Sequence, residues 1–273
     1  MTTMQDDLRM APYQVAEETF VIPWLLPAPP VGLFAMNSLV IRGEQPMLVD
    51  TGSPANREEW LTNVASVVDL DDVRWIFLSH DDRDHAGNLL AALDSCPNAT
   101  LLTTWFSIGR MAEEWMTPLP RCRFLNENET LDLGDRTVTT IRPPVFDNPT
   151  SRGLFDDRTG VLWSVDTFAT PLSAPTEDAR DISDADFLEG ELLGGRVVAP
   201  WHAWLDEAKY GAHVDAIEQL PIEVIAACHA PAIRGDRIKT AFDTVRMLPS
   251  SEAWIPFTHS DLEQWLAMME PDS

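Results

Sequence analysis

The sequence has 273 residues, 45% hydrophobic and 23% charged, which is near the globular average and excludes collagen-like, coiled-coil and wholly disordered chains. Its 44 acidic and 19 basic residues give a formal charge of −25. A surface that negative repels phosphate backbones and anionic lipid, so nucleic acid and membrane are excluded as leading partners.

The N-terminus reads MTTMQDDLRM and lacks the basic and apolar regions of a cleaved leader. No run of about 18 apolar residues occurs, so no transmembrane helix is expected. Residues 23–30 (PWLLPAPP) are the one Pro-dense stretch. Prolines block regular pairing, so an extended surface loop is expected, packed on the core or bordering a pocket. Short β-rich runs follow at 38–41 (SLVI), 47–50 (MLVD), 75–78 (WIFL) and 100–103 (TLLT). Helical spacing of apolar residues marks 56–68, 83–93 and 105–115. Strands are expected again at 130–133, 136–141 and 160–164, near GD and TG turn signals. In the last third, helices are expected near 205–219, 236–247 and 261–269, with a strand at 223–227. Two β-rich, helix-containing halves with no linker predict one α/β domain over 1–273, its core at about 13–250 and a C-terminal helix at about 260–270. Two sheets should pack face to face, with helices on their outer faces. Cys96, Cys122 and Cys228 show no CxxC spacing, which argues against a disulfide framework and fits a reducing cytoplasm.

The segment 75–88, WIFLSHDDRDHAGN, carries the chemistry. A buried strand ends in a run of His and Asp, both donors for first-row metals. Side chains at i and i+2 of an extended segment share a face, so His80 and Asp82 can converge on one metal. Asp84 and His85 lie where a helix begins and can reach a second metal. An N-cap would explain one of these aspartates, but not two histidines and three aspartates after a buried strand. Asp147, Asp166 and His229 also follow expected strands. Each alone is an ordinary strand-end residue; together they are what a two-metal site needs.

These residues resemble the metallo-β-lactamase superfamily over roughly 35–235. The resemblance is carried by Asn37 to Ile41, by Leu48 to Gly52 with its Asp-Thr-Gly turn, by Ser79 to Asn88, by Ser164 to Phe168 and by Ala227 to Pro231, in the family's order. It implies an αββα sandwich. The motif here is His80-x-Asp82-x-Asp84-His85, so an acid replaces the second His of the hydrolase pattern H-x-H-x-D-H. That resembles the flavodiiron branch, whose pattern is H-x-E-x-D-H. Residues 144–149 (PVFDNP) look like that branch's Pro-x-x-His-x-Pro segment, with Asp147 where a His ligand is expected. The resemblance implies that His80, Asp82 and Asp147 hold one metal, Asp84, His85 and His229 the other, and that Asp166 bridges them. No His occurs between His85 and His202. Either Asp147 substitutes, or the first metal is incompletely held, or the site takes one metal or none.

On this mapping four carboxylates face three neutral histidines, and two divalent ions would be neutralised. Less residual charge weakens Lewis-acid activation of water. Hard oxygen donors suit iron and manganese, and zinc remains an alternative. The expected cofactor is therefore a pair of metal ions, iron first, in a protein that meets O2, NO or a peroxide as an oxidoreductase or sensor. No flavin- or nucleotide-binding pattern occurs, so electrons would come from a separate donor protein. A homodimer is an open assembly. A binuclear hydrolase of an ester, thioester or phosphodiester is the alternative function, and a non-enzymatic sensor with a degenerate site the second. Elsewhere, His202 reads as structural or pocket-lining, His213 and His259 as ordinary helix residues, and Cys228 as packing before ligation. Trp24, Trp105 and Trp204 are the tryptophans that could wall a ligand site.

Overall fold

A computed structural model describes residues 8–269. The reading of the extreme N-terminus, and the last residue of the expected C-terminal helix, lie outside the described residues. The first half runs through β1 (Tyr13–Ala16), β2 (Thr19–Ile22), β3 (Leu25–Ala28), β4 (Gly32–Ala35), β5 (Ser38–Ile41) and β6 (Met47–Val49) to helix α1 (Arg57–Val67). It continues through β7 (Trp75–Phe77), α2 (Arg83–Ala86), α3 (Leu89–Ser95), β8 (Thr100–Thr103), α4 (Trp105–Met111) and β9 (Cys122–Phe124). The second half holds β10 (Thr130–Asp132), β11 (Thr137–Ile141), β12 (Gly153–Asp156), β13 (Val161–Trp163), α5 (Asp184–Val198) and α6 (Glu207–Glu218). It ends with β14 (Val224–Ala227), β15 (Ala230–Arg234), α7 (Asp236–Arg246) and α8 (His259–Met269).

Seven strands form one sheet, ordered β1-β2-β5-β6-β7-β8-β9, and six form another, ordered β10 to β15 in sequence. Side chains alternate across each strand. Leu39, Ile41, Met47, Val49 and Phe77 of the first sheet meet Val138, Leu154, Val161, Trp163 and Val224 of the second in one shared core. The alternate residues Val40, Leu48, Ile76 and Leu101 face outward onto α1 and α3, through Trp60, Val64, Leu89 and Leu93. On the other side Leu162, Ile225 and Ile233 face Phe187 of α5, Val214 of α6 and Phe242 of α7. The order of layers is helix, sheet, sheet, helix.

Parallel pairing decides where loops end up. Strands β6, β7, β8 and β9 pair in parallel, as do β13 and β14. Parallel neighbours require crossovers, so the loops that leave them share one edge. The loops after β6, β7, β13 and β14 carry Asp50, residues 79–85, Asp166 and His229 respectively.

Several expectations need correction. Residues 23–30 are only in part a loop: Leu25–Ala28 forms β3, which pairs antiparallel with β4 as a ribbon of their own, with Pro27 opposite Leu33. Leu33 exchanges backbone hydrogen bonds with Leu172 on its other side, at 2.8 and 2.9 Å. Pro27 therefore sits in a non-hydrogen-bonded pair, where a missing N–H costs no ladder bond. The expected helix at 83–93 is broken into α2 and α3, because the Gly87 N–H goes to Gly52 O at 3.1 Å. A Cβ on Gly87 would lie 2.3 Å from Pro54 Cδ, so only glycine admits this close approach. Helix α5 was not anticipated; three glycines lower its intrinsic propensity. Gly194 explains their use: its Cα packs against Ala169, where a Cβ would stand 2.0 Å from the carbonyl oxygen. Strand β15 contains Pro231 and was also missed; it is an edge strand, where proline is tolerated.

Glu191 of α5 is 3% exposed, and neither of its carboxylate oxygens has a hydrogen-bond partner among the described residues. Burial lifts its pKa well above the usual carboxyl range. The folded state thus keeps a proton that the unfolded chain releases near pH 4, and stability falls as pH rises from there towards the folded pKa. Glu191→Gln should match the wild type at low pH and gain on it between pH 5 and 8, at up to about 1.4 kcal/mol per pH unit. Each kcal/mol corresponds to roughly 2–4 °C in Tm for a chain of this size class. A Tm difference that stays flat over that pH range would show that the carboxyl finds a partner.

Candidate metal centre

Each donor arrives from a strand end. Strand β7 is buried and stops at Phe77; the chain then turns at Leu78 and Ser79 to present His80, Asp82, Asp84 and His85. His80 and His85 are each 1% exposed and Asp166 2%. Asp166 sits between the histidines. Its Oδ2 lies 3.7 Å from His80 Nε2, while its Oδ1 lies 3.1 Å from His85 Nε2 and 3.4 Å from His229 Nε2. Asp84 Oδ2 faces the same pair, 3.5 Å from His85 Nε2 and 3.2 Å from His229 Nε2. Asp82 Oδ2 stands 3.4 Å from His80 Nε2. The structure thus brings Asp84, His85 and His229 to one position, with Cys228, and His80, Asp82 and Asp147 to a second, the ligand atoms of each group lying within 4.8 Å of one another.

The far nitrogens fix the rings. His85 Nδ1 is 2.9 Å from Asp50 Oδ2, and His229 Nδ1 is 2.7 Å from the Ala35 carbonyl. Both acceptors lack protons, so both histidines carry theirs on Nδ1 and turn the Nε2 lone pair inward. Ser79 Oγ donates to Asp50 Oδ2 at 2.8 Å, leaving its lone pair to accept from His80 Nδ1 at 3.1 Å. All three rings are held in the tautomer that metal ligation needs. Asp50 is the hub of this arrangement: it also accepts from Ser79 N at 2.7 Å and Trp163 Nε1 at 3.1 Å, and it is fully buried. Reading the sequence placed Asp50 only in a turn. Its available signal was an acid closing a wholly apolar strand.

Asp147 makes no hydrogen bond among the described residues and is exposed. The turn it begins is capped by its neighbour instead: Asn148 Oδ1 accepts from Thr150 N at 2.9 Å. Asn148 Nδ2 also donates to Asp82 Oδ1 at 2.8 Å, which aims the other Asp82 oxygen at His80. Asp81 points away, accepting from Arg110 Nε at 2.6 Å and Thr150 Oγ1 at 2.9 Å.

Charges explain why the cluster asks for cations. Burial works against ionising Asp166, yet the His80 and His85 imidazoles outweigh it and hold its carboxyl well below the usual range. Burial presses the His85 pKa down, but Cys228, Asp84, Asp50 and Asp166 together lift it well above its ordinary value. His229 is lifted likewise, against burial, by Cys228, Asp166 and Asp84. Asp147 is exposed as a residue, but partial desolvation of its carboxyl and the Asp166 charge push that group up to about 6. Neither Asp166 oxygen meets hydrogen-bond geometry with any described group. A buried carboxylate without a hydrogen bond is costly unless a cation faces it. Its two oxygens, turned to different sets of His nitrogens, fit a pair of metal ions. The backbone around it is strained in keeping with such a site: Asp50, Val165 and Phe168 have φ of 60°, 60° and 69°.

Other candidates lie elsewhere. His202 donates from Nδ1 to Leu248 O at 2.7 Å inside the helix layer. His213 Nε2 meets Arg142 O at 3.0 Å. Trp105 and Trp204 are 74% and 88% exposed. A cleft beside Asp81 and Asp82 is walled by Arg57, Arg83 and Arg110, but Asn88, Glu114 and Asp81 hold these guanidinium groups. None of the described helices is long and apolar enough to cross a membrane.

Comparison with known proteins places the fold. The family described as ODP family beta lactamase matches residues 34–230. An uncharacterized protein of Methanocaldococcus jannaschii is 22% identical over 193 residues, covering 71% of this chain and 48% of that protein. The anaerobic nitric oxide reductase flavorubredoxin of Salmonella typhi is 29% identical over 133 residues, covering 48% of this chain and 28% of the relative. This chain therefore spans about half or less of these curated relatives. Among solved structures, the flavodiiron protein from Giardia intestinalis superposes with a TM-score of 0.78 at 18% identity, over 88% of this chain and 60% of that one. Rubredoxin oxygen:oxidoreductase from Desulfovibrio gigas gives 0.75 at 21% identity, over 88% and 62%. These likenesses establish the metallo-β-lactamase-like αββα fold.

Proposed function

The chain belongs to the ODP family beta lactamases, and on that footing we propose that it is a non-haem di-iron oxidoreductase that binds O2 or NO and takes electrons from a separate donor protein. The observation that carries this reading is Asp166, a buried carboxylate with no hydrogen bond, whose two oxygens face two different groups of donors. His80, Asp82 and Asp147 would hold one iron, and Asp84, His85 and His229 the other. When bound, the irons supply the electrons and the open coordination sites for a diatomic ligand. Around them the chain supplies orientation. Asp50, Ser79 and the Ala35 carbonyl keep the His protons on Nδ1, and Asn148 aims Asp82. The Asp147 side is exposed, which gives a small gas an approach from solvent. Four carboxylates against two divalent ions leave no net positive charge, which weakens hydroxide formation and favours a ferric state. The names of the anaerobic nitric oxide reductase flavorubredoxin and of the D. gigas rubredoxin oxygen:oxidoreductase point to the same ligands, NO and O2. A donor with a basic face suits the formal charge of −25.

Anaerobic reconstitution followed by metal analysis tests this. About two irons per chain, with an optical spectrum that changes on reduction by dithionite and again on O2 or NO, is expected. Stoichiometric zinc with esterase turnover, or less than half a metal per chain, would overturn it.

Asp147 offers a finer test. Asp147→Ala should weaken the first position by about 10-fold or more and leave the second loaded. Asp147→His should keep both irons and raise the reduction potential, because one negative charge has left the site. Metal counting and a redox titration on the three proteins read this out. Full iron content in Asp147→Ala would remove Asp147 from the ligands.

A further inference from the structure

Cys228 is fully buried, and its Sγ lies with one ligand atom each of Asp84, His85 and His229 in a cluster whose members are all within 4.8 Å of one another. From this geometry we infer that Cys228 is a sulfur donor to the second metal position, so that the two positions differ in chemistry. The inference rests on the two-metal reading above and adds a ligand to it.

The placement is built, not incidental to packing. Cys228 donates its N–H to Val165 O at 2.9 Å and accepts from Asn37 N at 2.9 Å. Asn37 Nδ2 donates to Ala227 O at 3.0 Å and Ala230 O at 2.9 Å, clamping the turn on both sides of Cys228 and His229. Asn37 is itself only 3% exposed. The backbone bond to Val165 also ties the sulfur's turn to the residue before Asp166. A cysteine used only as a small apolar filler would have its sulfur among hydrocarbon. Here one side of the residue packs with Trp163 and Val165 in the core, and the other faces two imidazoles and a carboxylate.

A metal bound there would sit about 2.3 Å from sulfur and about 2.0–2.1 Å from each nitrogen, which requires donor separations of roughly 3–4.5 Å. The four ligand atoms of the cluster all lie within 4.8 Å of one another, close to that range. As the sulfur–metal bond forms, the thiol proton is released to solvent. The second position then combines sulfur, two nitrogens and oxygen in a buried pocket. The first is held by one nitrogen and carboxylates, and is open to solvent. Soft and borderline ions should enter the second position first, and hard ions such as Mn2+ the first. Counting the thiolate, the donors' negative charge exceeds that of two divalent ions by one unit, which favours one trivalent ion in the pair.

Titrating the metal-stripped 273-residue chain with Co2+ tests the sulfur directly. The first equivalent should produce a sulfur-to-cobalt charge-transfer band in the near ultraviolet, and X-ray absorption should show a Co–S distance near 2.3 Å. The band should persist in a Cys96→Ala, Cys122→Ser double variant, a comparison that leaves Cys228 untouched. It should vanish in Cys228→Ser and in Cys228→Ala, which should still take up two Co2+, the second position at least 10-fold more weakly. Two bound Co2+ without a band in the wild type, or a band that survives Cys228→Ala, would overturn the inference while leaving the two-metal reading intact. A wild-type chain that binds no Co2+ would overturn both.

Discussion

Asp166→Asn is expected to abolish loading of both metal positions, the largest effect of any single substitution in this chain. Asp166 faces both groups of donors, through Oδ2 towards His80 and Oδ1 towards His85 and His229. The amide keeps the shape but has one oxygen and one N–H pair, so one position would meet a donor group where it needs an acceptor. Loss of the charge also removes part of the negative field that favours the protonated forms of His85 and His229. In the metal-free protein, His85 and His229 should titrate at lower pH than in the wild type, because Asp166 is among the groups that raise them. By contrast, His229→Ala should empty mainly the second position. Metal content by mass spectrometry on folded, metal-supplemented protein separates the two. One full equivalent retained in Asp166→Asn would refute a bridging role.

Asp50→Ala should be the most destabilising change near the site. The carboxylate accepts from Ser79 N, Ser79 Oγ, His85 Nδ1 and Trp163 Nε1 in a place that water does not reach. Removing it leaves four buried donors unpaired, at about 1–3 kcal/mol each, so a loss of more than about 4 kcal/mol is expected. Alanine would also have to adopt the φ of 60° that Asp50 has. Asn tolerates that conformation and keeps one acceptor oxygen, so Asp50→Asn should cost much less stability. It should still weaken the second metal position by about 10–100-fold, since the ring of His85 loses its charged anchor, while the first position changes little. Chemical denaturation and metal titration of the two variants measure these separately. Equal stability loss in both would mean that the stabilisation comes from the charged carboxylate with both of its acceptor oxygens, and that shape and one remaining acceptor do not rescue it.

What could be read from the sequence follows from how local the signals are. Strands β5 and β8 occupy 38–41 and 100–103 because short apolar runs between polar residues leave few other options. His80, Asp82, Asp84 and His85 stood out because polar donors directly after a buried strand have no ordinary use. Asp50 did not, since its partners come from β7 and β13 and only the folded chain brings them together. Helix α5 was hidden by Gly190, Gly194 and Gly195, whose purpose is a tertiary contact with Thr170, Ala169 and Leu248 respectively. The β3–β4 ribbon was hidden by Pro27, tolerated only because Leu33 pairs outward with Leu172. Asn37 and Ala35, which set the turn and the ring of His229, lie about 190 residues away from it in sequence.

The centre also straddles the chain's two halves. His80, Asp82, Asp84 and His85 come from the first sheet's loops, and Asp147, Asp166 and His229 from the second's. Ions held between them would act as cross-links across loops of some 60 to 150 residues, and clips closing long loops restrict the unfolded chain most. Chelation should therefore loosen the grip of one sheet on the other, well beyond any local effect at the site. Two fragments divided near residue 127, between β9 and β10, each own an incomplete ligand set. Their reassembly in the test tube should become dependent on added metal, making the pair of ions the rivet that joins the two sheets of one sandwich.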